Sequence, residues 1–315
     1  MWTMRDRVGV LGASGYVGGA VASVLRNRGY DVAPAAGSSH ETYPTVDLRD
    51  RAAVRSFVAD VDAVVNAAGL VGTDACAERP DDAFEINGTG AATVAWACAR
   101  RDVPVVHLSS VATIGRPETV PLTADSERIP ETTYGHTKLL GERAVRTVTD
   151  GRVPSVTFCL SNPYGSLEET TLGDSVVDFF LERALAGEAL PVHRPGTQER
   201  DLVHVRDVAD AMAAAVGDLL SEADPVARTY VLGSGESYSV LEVAGLIAAA
   251  RRDLVGSSPD LELRERPSSA GPVLERFAVD PASMRSDLGV EPTRDLERWV
   301  REVLEARDAS TAAQA

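Results

Sequence analysis

The chain has almost no lysine: of its 31 basic side chains, Lys138 is the single lysine and every other one is arginine. Positive charge is scarce as well. Set against 47 Asp and Glu, those 31 cations leave a net charge of −16. That balance argues against a nucleic-acid partner and an anionic membrane surface, both of which are held by clustered cations. If the ligand is itself an anion, local arginines must overcome the background. Cysteine is limited to Cys76, Cys98 and Cys159, an odd and scattered set without paired spacing. This excludes a disulfide framework and a structural zinc site, and it fits a reducing compartment. No apolar run is long enough to span a bilayer. Met1 to Arg7 lead into a strand without an apolar signal segment, so the expectation is a cytoplasmic protein.

What is present is ordinary for a globular enzyme, with 44% hydrophobic and 25% charged residues over a length that can bury a full core. Residues 7–11 read as a buried strand, followed by a glycine-rich turn, a helix over 17–27 ended by Gly29, and a second strand over 31–35. This is a βαβ unit of the length a parallel sheet requires. A third strand is expected at Thr45–Asp47, then a helix over 51–59 capped by Asp50 and a fourth strand over 63–66. One long helix is expected over 83–101, a fifth strand over 105–109, a helix over 133–148 and a sixth strand over 155–160. Beyond this the alternation loosens. A helix near 175–186, strands over 201–204 and 228–232, and helices over 240–252 and 294–306 are expected. The pattern predicts an α/β fold, a Rossmann-like doubly wound parallel sheet with a smaller C-terminal substrate lobe. Residues 1–160 form the dinucleotide-binding domain and 161–308 the substrate lobe. Residues 201–216 are a candidate for return to the first domain, and 309–315 for a disordered tail.

Two constellations carry chemistry. Gly12, Gly15 and Gly18, with Ser14, Tyr16 and Val17 among them, lie between the first strand and its helix. Glycine there permits a tight turn and lets backbone amides approach a pyrophosphate at the positive end of the helix. The second strand lacks the acidic end residue that would hold the ribose 2′-hydroxyl of NAD; Ala36-Gly37-Ser38-Ser39 stands there instead. No arginine lies between Gly29 and Leu48 to hold a 2′-phosphate either. The small hydroxyls, Ser38 among them, tilt the reading to NADP, with NAD as the alternative. The second constellation is Tyr134-Gly135-His136-Thr137-Lys138. Positions four apart share a helix face, so phenol and ammonium can converge. A nearby cation favours the phenolate, and such a pair can move a proton to or from a carbonyl or carbinol oxygen. His136 points off that face, and His107, inside a strand, reads as a core residue.

With these motifs together the chain resembles the extended short-chain dehydrogenase/reductases, and within them the NAD-dependent epimerase/dehydratase branch that modifies nucleotide sugars. The resemblance implies that Ser110, Tyr134 and Lys138 are catalytic. It also implies that Asp47 and Leu48 contact adenine, and that Ala67, Ala68 and Gly69 pass the ribose and nicotinamide. Asn87 matches the family's mid-helix asparagine. In the second lobe Asn162 belongs to a substrate-contacting turn, Arg200 to a diphosphate-binding segment, and Arg266 to the place of a second diphosphate arginine. Two departures stand out: Cys159 replaces an arginine of the family, and Val111-Ala112 replace the acidic pair of the 4,6-dehydratases, which discounts dehydration. The implied activity is NAD(P)H-dependent reduction of a keto group, at C4, of a nucleoside-diphosphate deoxysugar. The alternatives are a 4-epimerase using the same three residues, a dehydrogenase of non-sugar alcohols, and a dinucleotide-binding sensor without turnover. A homodimer through the helix of Tyr134 is the family's habit.

Overall fold

The computed structural model describes residues 6–117, 119–168, 172–173, 175–265 and 277–314. Its first strand, β1 (Arg7–Leu11), buries every residue after Arg7, as a strand covered on both faces must. It leads through the glycine turn into α1 (Tyr16–Asn27), then β2 (Asp31–Ala35), α2 (Arg51–Val58) and β3 (Ala63–Asn66). β2 and β3 pair with β1 on opposite sides, both parallel, Leu11 lying between Ala35 and Asn66. Strand order reverses there, which opens a crevice at the carboxyl ends of these strands.

Next come α3 (Thr73–Glu78), α4 (Pro80–Ala83), a π-helical segment (Phe84–Gly90) and α5 (Ala91–Ala99). β4 (Val105–Ser110), α6 (Thr133–Thr149), β5 (Ser155–Leu160) and β6 (Asn162–Tyr164) follow. The remainder is α7 (Val176–Leu185), β7 (Leu190–His193), β8 (Glu199–His204), α8 (Val205–Ser221), β9 (Ala227–Leu232) and β10 (Ser237–Ser239). α9 (Val240–Val255), β11 (Leu261–Arg264), α10 (Ala282–Leu288) and α11 (Leu296–Gln314) complete it. The main sheet is six-stranded and parallel, in the order β2-β1-β3-β4-β5-β9. This is the Rossmann-like α/β fold expected.

Helices cover both faces. Val21, Val24 and Leu25 of α1 pack with Val208, Met212 and Val216 of α8 over one face. Val54 and Val58 of α2, Val94 of α5 and Val145 and Val148 of α6 cover the other. Residues 205–221 and 227–232 therefore lie on the main sheet, although they follow the first segments of the second lobe. That lobe has its own core, in which Phe180 and Leu181 of α7, Ile247 of α9 and Val300 and Val303 of α11 meet Leu190, Val192 and Leu202. Its sheets are small, β10-β8-β6 and β11-β7. Among the described residues no helix is long and apolar enough to cross a membrane.

Three expected elements differ. Thr45–Asp47 is not a strand: a single bridge joins Thr45 to Ala36, and the chain then turns where Asp47 accepts the Arg49 amide. The long helix over 83–101 is interrupted by its π-helical turn, where Asn87 reaches sideways to Leu70. Such widened turns are frequent at functional sites. The last helix continues past Asp308 to Gln314 instead of ending in a disordered tail. Ala309, Ala312 and Ala313 there are strong helix formers.

Candidate functional site

The carboxyl ends of β1, β3, β4 and β5 open into a cleft of about 1370 Å³ that runs on between the sheet and the second lobe. At one end is the glycine turn. Gly12 holds φ +82°, and a Cβ on it would lie 2.7 Å from the Ala68 amide nitrogen. A Cβ on Gly18 would lie 2.1 Å from the Gly12 carbonyl oxygen. The turn thus has no room for a side chain at either position. The first turn of α1 has no capping side chain and no acidic residue, which leaves its amides to an outside anion. Ser14, Gly15, Tyr16 and Val17 line this wall, and Ser38, Asp47 and Leu48 line the cleft as well. Ala67, Ala68 and Gly69 continue it towards Tyr134. These residues fit a dinucleotide.

Asn87 lies behind that wall and contributes by positioning it. Its side chain accepts from the Leu70 amide and donates to the Leu70 carbonyl, both at 2.9 Å, and donates to Thr137 Oγ1 at 3.1 Å. The segment after Gly69 is thereby tied to α6. Asp47 lines the cleft with its carboxylate gripped by Arg49, through Nε and Nη2 at 3.0 and 2.7 Å. That bond holds the Asp47 carboxyl below the ordinary carboxylate range. Arg49 also pairs with Asp82 at 2.9 Å and lines the cleft. It stands just beyond Leu48, outside the stretch from Gly29 that carries no arginine.

Ser110, Tyr134 and Lys138 come together in mid-cleft. Ser110 ends β4, and α6 starts beneath it with Thr132 Oγ1 capping the Gly135 amide at 3.1 Å. A Cβ on Gly135 would lie 2.4 Å from the Ala112 carbonyl oxygen, so glycine beside Tyr134 lets α6 touch the loop after β4. The Lys138 ammonium donates to the Leu108 carbonyl at 2.6 Å, and burial lowers its pKa to about 8. Burial also raises the Tyr134 phenol, opposed by a hydrogen bond with Ser110. The expected acidification of this phenol by Lys138 is not among the influences on it; desolvation is the largest, and Ser110 is the group that opposes it.

Behind this trio is a cluster that the sequence reading passed over. Arg128 Nε meets Glu142 Oε1 at 3.1 Å, both side chains 12% exposed. Glu142 Oε2 accepts from Ser109 at 3.2 Å, and Cys159 Sγ lies 3.4 Å from both Glu142 Oε2 and Arg128 Nη2. A guanidinium therefore does reach Cys159, but it comes from the loop before α6. Glu142 follows Lys138 by one helical turn, and that spacing was the available signal.

At the far end, Asn162 and Arg200 line the cleft, and Arg266 lies outside the described residues. Asn162 Nδ2 donates to the Asp201 carbonyl at 3.0 Å. Arg200 donates to the Glu199 carbonyl at 2.7 Å and stacks near Phe277, 6.0 Å from the ring centre. A smaller cavity of about 340 Å³, lined by Val176, Phe179, Pro191 and Val240 with His193 and Arg264, adjoins the cleft at Gln198.

Residues 8–233 match the family described as NAD dependent epimerase/dehydratase. The chain belongs to that family. It is an NAD(P)-dependent enzyme of the extended short-chain dehydrogenase/reductase type. A UDP-glucose 4-epimerase of Bacillus subtilis (strain 168) is 28% identical over 324 residues, covering 91% of this chain and 93% of the relative. A dTDP-4-dehydrorhamnose reductase of Mycolicibacterium smegmatis is 34% identical over 143 residues, 45% of this chain and 42% of that one. The fold is shared with a solved UDP-glucose 4-epimerase of Stenotrophomonas maltophila with bound NAD and formylated UDP-arabinopyranose. Their TM-score is 0.82 at 22% identity, over 98% of this chain and 100% of that one.

Proposed function

We propose that the enzyme inverts C4 of a nucleoside-diphosphate sugar, with Ser110, Tyr134 and Lys138 as its catalytic residues. The observation that carries this reading is their meeting in a cleft with a glycine phosphate cradle at one end and Arg200 at the other. The long coverage of the epimerase relative supports inversion over other chemistry on the same substrates. Bound nicotinamide dinucleotide would supply reversible hydride exchange at the sugar carbon. Tyr134 accepts the proton of the C4 hydroxyl and returns it, and Ser110 holds that oxygen by a hydrogen bond. Lys138, fixed on the Leu108 carbonyl, presents its remaining N–H bonds to the nicotinamide ribose and to the phenol. Arg200 grips the diphosphate with its fork. The apolar side cavity suits a flat base, and Gln198 brings an unpaired buried amide oxygen to its mouth.

A second reading is net reduction of a 4-keto sugar with NADPH as a dissociable cofactor. It is favoured by Ala36-Gly37-Ser38, which offers no carboxylate to the adenosine ribose. One experiment separates the two. Purified protein is given UDP-glucose without added cofactor, and the product is resolved by NMR. Formation of the C4 epimer supports inversion. No epimer from UDP-hexoses, together with NADPH consumption on a thymidine-diphosphate 4-keto sugar, replaces it with reduction.

A further inference from the structure

Tyr16 occupies a place that neither the phosphate cradle nor the proton relay explains. It opens α1, so its backbone belongs to the turn around the pyrophosphate site. Its side chain leaves that turn, lines the cleft and donates from the hydroxyl to the Gly165 carbonyl at 2.5 Å. Gly165 follows β6, the short strand that starts with Asn162, and holds φ +80°. A Cβ on it would lie 2.5 Å from His204 Nε2, so its backbone packs directly against that ring. From the other side its amide donates to Asp178 Oδ2 at 3.2 Å. That carboxylate is buried, and it accepts from Ser175 Oγ at 2.5 Å at the start of α7. Gly173 closes over the same knot, since a Cβ on it would lie 2.5 Å from the Gly165 oxygen and 2.9 Å from the Tyr16 ring. Both polar groups of one peptide residue are thus held from opposite sides, one by the cofactor turn and one by the second lobe.

We propose that Tyr16 is the positioning residue through which cofactor occupancy prepares the substrate turn. Ordering residues 12–16 around a pyrophosphate fixes the Tyr16 hydroxyl. The hydroxyl then fixes Gly165, and with it the direction in which Asn162 meets the nucleotide sugar. Part of the ordering cost of the second ligand is met when the first binds, and that yields positive coupling without a large movement. The inference rests on the reading of the cleft as a site for a dinucleotide and a nucleotide sugar.

The test uses uridine diphosphate as probe. Its dissociation constant is measured by calorimetry with and without saturating NAD, on protein stripped of nucleotide, for the wild type, Tyr16→Phe and Asp178→Asn. The readout is the ratio of the two constants. In the wild type NAD should tighten UDP about fivefold, at the low end of typical coupling between sites. In both variants the ratio should fall to about one, with UDP no longer responding to NAD. A Tyr16→Phe protein that melts earlier and binds both ligands less well, yet keeps the wild-type ratio, would reduce Tyr16 to a structural residue and overturn the proposal. A wild-type ratio of one overturns it equally. Failure of the wild type to bind UDP at all is a separate result, seen before any variant is made, and it removes the nucleotide-sugar reading as well.

Discussion

The two ends of the cleft are built differently. At the dinucleotide end the recognising groups are mostly backbone: amides at the start of α1 and the close approach of Gly12 to Ala68. At the end proposed for the sugar nucleotide, the polar groups lining the cleft are side chains borrowed from distant segments, Asn162, Gln198 and Arg200, set in short strands and loops. Backbone recognition depends on where glycine stands, whereas side-chain recognition depends on tertiary packing. The first end should therefore tolerate changes of side chain but not of glycine, and the second should fail with single side chains. The chemistry proposed for mid-cleft belongs to neither and depends on one proton-transfer group.

The largest effect is expected at that group. Tyr134→Phe removes the proton carrier while keeping the ring, and kcat should fall about 10²- to 10⁴-fold, the usual worth of general acid–base catalysis. NAD binding, measured by fluorescence, should persist. Undiminished turnover would move the proton transfer elsewhere. Next comes the cluster behind it. Arg128→Met leaves the largely buried Glu142 carboxylate without its cation. Breaking a buried pair in this way costs roughly 3–5 kcal/mol. Denaturant unfolding should show a loss of that order, with partial recovery when Glu142→Gln is added. Recovery would identify the unpaired charge as the cause. At the sugar-nucleotide end, Arg200→Glu should weaken UDP binding about 10- to 100-fold, the range expected for a charge-assisted hydrogen bond. NAD affinity should remain, because the dinucleotide end does not use this side chain. Equal loss of both ligands would erase the distinction between the two ends.

The same division decides what could be read from the sequence. The parallel sheet, the glycine turn and the residues of the Tyr134 helix follow from local patterns, since strand runs, caps and i,i+4 spacing are written in consecutive residues. The return of β9 to the main sheet, beside β5, follows from pairing over a long separation and leaves no local trace. Thr45–Asp47 has strand-like residues but pairs through one bridge only, so tertiary context overrides its propensity. Arg128 illustrates the limit within the site. Cys159 signalled a missing guanidinium, but only packing brings in one from a loop 31 residues away along the chain.

The smallest expected effect is a pH dependence at the single lysine, and its sign can be worked out for two observables. Burial lowers the Lys138 pKa from the ordinary 10.5 to about 8. Between those values the folded protein holds fewer protons than the unfolded chain, so raising the pH through this window favours the folded state. Activity should move the other way, because the ammonium is the form that donates to Leu108 and would donate to the ribose and the phenol. Above about pH 8, kcat/KM should decline towards a tenfold loss per pH unit. Over the same range the stability of wild type relative to Lys138→Met should rise. A charge that aids chemistry while costing stability is expected of a group placed for function. If both quantities fell together above pH 8, the ammonium would instead be a structural tie, and the mid-cleft trio would lose its orienting cation.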